Sequence, residues 1–150
     1  MDETYVKVGG VWWYVYRAVD QHGQVIDVYV SRRCNTEAAR RFFDGALADH
    51  GRPVEVVTDK AAPLLAAVDD VLPDALPTTD RYANSRVEAD HGRLKARLRP
   101  MCSLRCDRTA AAVIRGHAFV QNVRRGHYGL GVDAQNRHLR LAAAFDELVD

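Results

Sequence analysis

The sequence predicts a single α/β domain built on a mixed sheet, and three observations carry that prediction. Apolar residues alternate with period two through much of the first thirty residues. They recur at helical spacing through most of the second half. Between these halves a short apolar run at 54–58 follows a helical stretch. The order of elements reads β-β-β-α-β-α-α-α.

Residues 4–8 set Tyr5 against Val6 and Val8, and Gly9-Gly10 signals a hairpin turn. Residues 11–19 are apolar on both faces, with Trp12, Tyr14 and Tyr16 on one and Val11, Trp13 and Val15 on the other. That pattern predicts a central strand covered on both sides. The two tryptophans are expected chiefly as core residues, one of them partly exposed, with stacking on nucleic-acid bases as the alternative. His22-Gly23 marks the next turn. Residues 25–31 place Ile26, Val28 and Val30 on one face and Asp27 on the other, completing a three-stranded antiparallel meander.

Asn35 is placed to cap a helix reaching about residue 49, with Ala39, Phe42, Phe43, Ala46 and Leu47 facing inward. Gly51-Arg52-Pro53 ends it. The short strand at 54–58 leads into Asp59-Lys60. A second helix is expected over 64–71, after which Pro73 and Pro77 break the chain into a polar loop reaching 83. Asn84 or Ser85 can cap a helix running to about 99. Another spans 108–125 with Gly126 as its stop, and an amphipathic segment covers 136–148.

The 150 residues suffice for one domain with a sizeable core, not two. A hydrophobic fraction of 47% excludes a disordered chain. No apolar run approaches the length of a membrane span, and Met1-Asp2-Glu3 lacks the shape of a signal peptide. Cys34, Cys102 and Cys106 therefore read as reduced thiols in a cytoplasmic protein. The Cys102-x-x-x-Cys106 spacing, with His91 or His117 nearby, lacks the second cysteine pair of a zinc site.

The net charge of +1 conceals segregation. Residues 81–125 hold eleven basic and three acidic side chains, so this block carries +8 and the rest of the chain −7. Such a block suits a polyanion such as nucleic acid, with a solvated helix face as the plain alternative.

Three carboxylates sit where a sheet edge could gather them. Asp2 opens the first strand, Asp59 ends the fourth, and Glu88 lies in the first turn of the basic helix. Three such groups suit Mg²⁺ or Mn²⁺. Two ions about 4 Å apart can activate an attacking oxygen and stabilise a leaving one in phosphodiester chemistry. Each acid also has a structural reading: Asp2 as a frayed terminus, Asp59 as a helix cap, Glu88 in a capping box with Ser85. Along the helix Val87, His91, Leu94 and Leu98 form an apolar stripe, Glu88, Gly92, Lys95 and Arg99 its neighbour, and Arg86, Asp90, Arg93 and Arg97 the next. His91 is thus expected as a packed core histidine.

With these residues in view the chain resembles bacterial insertion-sequence transposases of the DDE class, in the IS-six group. The resemblance rests on DETYVKVGG at 2–10, YRAVDQHGQVIDV at 16–28, VVTDKA at 56–61, RYANSRVEADHGRLKARLRPM at 81–101 and GHAFVQNVRRGHYGLGV at 116–132. It implies a ribonuclease-H-like fold with a mixed five-stranded sheet flanked by helices. It implies a catalytic domain over residues 1–132 and a helical segment of the same domain over 133–150. Asp2, Asp59 and Glu88 match the three catalytic, metal-binding acids, with two Mg²⁺ or Mn²⁺ ions. Lys95 matches a basic residue that contacts DNA, and Lys60, Arg86, Arg93, Arg97 and Arg99 are further candidates for phosphate contacts. The implied reaction frees a 3′-hydroxyl and joins it to a target phosphodiester, with no covalent protein intermediate. The implied partners are transposon-end and target DNA and a second copy of the chain. Relatives carry a helix-turn-helix region before the DETY strand, which leaves three expectations open: a truncated copy, a decayed copy, or a coding sequence with a misassigned start. The competing expectation is a module that binds DNA or dimerises without turnover.

Overall fold

Gly9 and Gly10 both adopt positive φ, 56° and 83°, as a tight two-residue turn matched to strand twist requires. They join β1 (Asp2–Val8) to β2 (Val11–Val19), and β3 (Val25–Ser31) completes an antiparallel sheet of order β1-β2-β3. The computed structural model describes residues 1–59, 61–78, 85–101, 104–134, 136 and 138–149. The hairpin tip is anchored from outside the sheet, where the Gly9 N–H donates to the Leu104 carbonyl at 2.7 Å.

A register shift between Ala18 and Val19 changes the parity of β3. Val28 and Val30 face one core as the alternation predicts, but Ile26 packs into the other, and Val25 takes its place beside Val28. A uniform period of two cannot anticipate an inserted residue. The inner half of β2 is buried on both faces, from Val15 to Ala18, whereas Val11 and Trp12 at its start are exposed.

The Asn35 side chain accepts the Ala38 N–H at 3.0 Å and starts α1 (Thr36–His50). Helices α1 and α2 (Ala62–Val71) cover one face through Phe42, Phe43, Leu64 and Val68, packed on Tyr16 and Ala18. Complete burial of each phenylalanine is worth roughly 1.5–3 kcal/mol. Helices α3 (Ser85–Leu98) and α4 (Asp107–Arg125) cover the other face through Leu94, Ala110, Ile114 and Ala118, packed on Val6, Val8, Val15 and Val28. Gly126, left-handed at φ 80°, ends α4 where the sequence places its stop. The last helix, α5 (Arg140–Glu147), starts later than the amphipathic pattern suggests and packs on α4. No described helix is long and apolar enough to cross a membrane.

The strand β4 (Glu55–Val57) pairs in parallel with β5 (Leu76–Thr78), inside the stretch that reads as a loop. Pro77 is tolerated because the ladder uses its neighbours. Leu76 N–H donates to Val54 and Thr58 N–H to Thr78, both at 3.0 Å. The five expected strands are present, in two hydrogen-bonded groups of three and two. The Met1 backbone nitrogen donates to the Val57 carbonyl across the seam between them.

Candidate active site

Asp2 is a strand residue opposite Arg17 and only 8% exposed, not a frayed end. Its Oδ1 accepts the Glu3 N–H at 2.8 Å, and its Oδ2 lies 3.5 Å from His91 Nδ1 on α3. His91 is buried as the apolar stripe predicts, yet it packs directly against this carboxylate. Its Nε2 is buried without a partner among the described residues.

Asp59 follows β4 and accepts the Ala61 N–H at 3.2 Å just before α2. It does not cap that helix, whose N-cap is Ala61. Burial pushes its carboxyl above the ordinary carboxylate range; the Ala61 N–H opposes this, and the charges of Asp2 and Glu3 and a hydrogen bond with the Asp2 carboxyl add to it. Asp2 and Asp59 are therefore brought together as two like charges in a partly desolvated site, where ionising both is costly. An oxygen-seeking divalent cation relieves that cost, so the pair fits Mg²⁺ or Mn²⁺. Glu3, which the sequence offers only as part of an acidic terminus, adds to the field, and its Oε2 is buried without a partner among the described residues.

Glu88 is not drawn into this pair. It is exposed in the first turn of α3 and makes no hydrogen bond or ion pair with a described residue, so the capping box with Ser85 does not form. Among the described residues no three His, Cys, Asp or Glu side chains gather closely enough to hold a metal. Helical geometry places Glu88 one turn before His91 and about 60° round the axis from it, at the rim of the packed face.

The DNA candidates divide by surroundings. Lys60 lies outside the described residues. Arg86 donates to the Gln21 carbonyl. Arg93, Arg97 and Arg99 are exposed and make no ion pair among the described residues. Lys95 holds its Nζ 4.7 Å from the centroid of the Tyr5 ring. Cys102 also lies outside the described residues, and Cys106 is exposed at the start of α4.

Asp90, assigned to the polar stripe by the sequence, is instead fully buried. It accepts from Arg17 of β2, also fully buried, and from Arg125 of α4 at 2.7 Å. Arg125 further donates to the Gly23 carbonyl at 2.7 Å. This ion-paired cluster ties α3 to the sheet beside Asp2. The signal was available: Val87, Asp90, His91 and Leu94 have the i, i+3, i+4, i+7 spacing of a packed face. Asn122 of α4 is a second buried polar residue. Its amide pairs with both backbone groups of Val25, at 2.9 and 2.8 Å.

Two solved structures share this architecture at low sequence identity. A chain of the simian T-cell lymphotropic virus intasome, in complex with a PP2A regulatory subunit, aligns over 93% of this chain and 52% of its own, with TM-score 0.62 and 17% identity. The HTLV-2 integrase catalytic core, in complex with magnesium, aligns over 91% and 90%, with TM-score 0.58 and 15% identity. The fold is therefore ribonuclease-H-like. The family model of a DDE domain matches residues 1–127, and the chain belongs to that family of insertion-sequence transposases. The transposase of the IS431mec element of Staphylococcus aureus is 33% identical over 103 residues, covering 65% of this chain and 46% of the relative. The transposase of IS257 in transposon Tn4003, from the same species, matches to the same extent. The match thus spans about half the length of these relatives.

Proposed function

We propose that the chain is the catalytic domain of a DNA transposase, acting in metal-dependent strand cleavage and strand transfer. The observation that carries this reading is the Asp2–Asp59 pair, one carboxyl raised by burial and by its neighbour, inside a DDE-domain fold. Asp2 and Asp59 would hold Mg²⁺ or Mn²⁺, with Glu88 as the third acid from the rim of α3. A cation held there would supply Lewis-acid chemistry, activating an attacking oxygen and stabilising a leaving one. His91 fixes the Asp2 carboxylate from α3, and the Ala61 N–H fixes that of Asp59. Exposed Arg93, Lys95, Arg97 and Arg99 offer charge to DNA phosphates. The related integrase core is in complex with magnesium and trimeric in form, which supports the metal and an assembly of several copies. Residues 1–132 would form the catalytic unit and 133–150 its helical tail.

The test is Mn²⁺ titration by calorimetry on this chain and on Asp59→Asn, followed by assay of labelled transposon-end DNA for joined products. Binding lost with the substitution supports the reading, while metal binding indifferent to Asp59 overturns it. The exposed position of Glu88 favours a second reading, a module that binds DNA without turnover. Metal binding by the pair without cleavage or joining would identify it.

A further inference from the structure

The outer end of the β1–β2 hairpin is aromatic, cationic and uncovered. Tyr5 and Trp12 are 56% and 54% exposed, although strand aromatics are ordinarily buried. Their rings meet edge to face, with centroids 5.2 Å apart. Lys7 is the cross-strand partner of Trp12 and holds its Nζ 5.7 Å from that ring, while Lys95 reaches over Tyr5 from α3. Helix α1 packs the same sheet face farther along, at Tyr16 and Ala18, and leaves this end open.

We propose that this hairpin face is a stacking platform for unpaired bases of a DNA strand leaving the carboxylate pair. This rests on the proposed action on DNA and names where a single strand would run. Charge complementarity selects the occupant. The platform presents two aromatic rings and two ammonium groups, the combination by which sequence-independent single-strand sites hold bases and phosphates. Position supports it as well. Strand geometry puts Lys7 about 17 Å along β1 from Asp2 and, five residues on, on the opposite face of the sheet. Lys95 lies two helical turns from Glu88 on α3 and reaches round the β1 edge to the Tyr5 ring, so the path from the acids to the rings crosses that edge beside this cation. The anchoring of Gly9 on Leu104 keeps the platform fixed against α4's entry.

Trp12 and Trp13 are the two tryptophans of the chain, so Trp13→Phe leaves Trp12 as the fluorescent reporter. The Trp13→Phe protein is titrated in EDTA with a thymidine oligonucleotide and with an abasic oligonucleotide of equal length and charge. The expected result is quenching by the first and little by the second. Trp12→Ala should weaken thymidine-oligonucleotide binding about tenfold or more, measured by anisotropy of labelled DNA, with Trp12→Phe retaining most of it. Lys95→Ala should lower the salt slope by roughly one. Equal affinity for both oligonucleotides overturns the proposal, as does unchanged affinity in Trp12→Ala. A shift from dimer to monomer on sedimentation of Trp12→Ala, without loss of DNA affinity, would show that a second copy covers the face. Because the titration contains no divalent cation, its outcome is independent of the calorimetric test of the carboxylate pair.

Discussion

Asp90→Ala is expected to be among the most damaging single substitutions in this chain, although Asp90 bears on neither the carboxylate pair nor the exposed basic face. Arg17 is fully buried, and Asp90 is the carboxylate it donates to. Two of its nitrogens, Nε and Nη2, already lack partners among the described residues. Burial pulls its guanidinium below the usual range, and Asp90 is what opposes that. Removing the carboxylate strands one buried charge and deprives Arg125 of its interhelical partner, at a cost of about 3–5 kcal/mol. In a chain of this length each kcal/mol lowers Tm by about 2–4 °C, so a drop of roughly 6–20 °C is expected by calorimetric scanning. Replacing both partners, as in Arg17→Met with Asp90→Leu, should cost clearly less than the sum of the single losses, since no buried charge is left. A loss below about 1 kcal/mol for Asp90→Ala, or strict additivity in the double variant, would refute the buried-pair argument.

Four further outcomes follow from the same geometry. Asp59→Asn in EDTA should raise Tm at neutral pH by a few degrees, because it removes one of two crowded like charges; the gain should disappear when Mn²⁺ is supplied to both proteins. His117 is held below its ordinary value of 6.5, by burial first and then by Arg17. The unfolded chain therefore takes up that proton first, so this contribution to stability is whole above about pH 6.5 and is lost as pH falls below it; His117→Asn should shrink the fall in Tm between about pH 7 and 5.5. Phe42→Ala, at a fully buried site between Tyr16 and Phe43, should cost about 3–5 kcal/mol in urea unfolding. Gly131 has φ 61°, and an added Cβ would strike the Arg140 carbonyl; Gly131→Ala should loosen α5, seen as faster amide exchange there than in α1.

Local signals were legible where one short-range interaction decides the outcome. Asn35 announces α1 because its side chain satisfies an orphan amide, and Gly126 ends α4 because its left-handed conformation suits glycine. That Asp2 and Asp59 could meet was legible from their places at strand ends, and the resemblance made them a pair, since nothing local to either residue shows that β1 and β4 adjoin. Three features were hidden for physical reasons. β5 contains a proline that normally argues against a strand, and only the alternation of the parallel ladder makes it harmless. The bulge in β3 opposite Ala18 and Val19 redirects Ile26 without leaving a mark in composition. Which of the two tryptophans emerges is not written locally, because the exposure of Trp12 depends on where α1 stops covering the sheet. Asp90 was misplaced by weighing its charge above its spacing.

The seam between the two strand groups has a mechanical consequence. Asp2 belongs to the meander and Asp59 follows the short parallel pair, so each carboxyl is carried by a different ladder. The clearance between them is set by how these two plates dock, through the Met1–Val57 clasp and the bed of α1 and α2 beneath, rather than by the stiffness of either plate. Small slippage at that joint alters the gap between the acids while every strand keeps its own partners. Substitutions that soften the bed, far from any carboxylate, are thereby levers on the spacing of the pair.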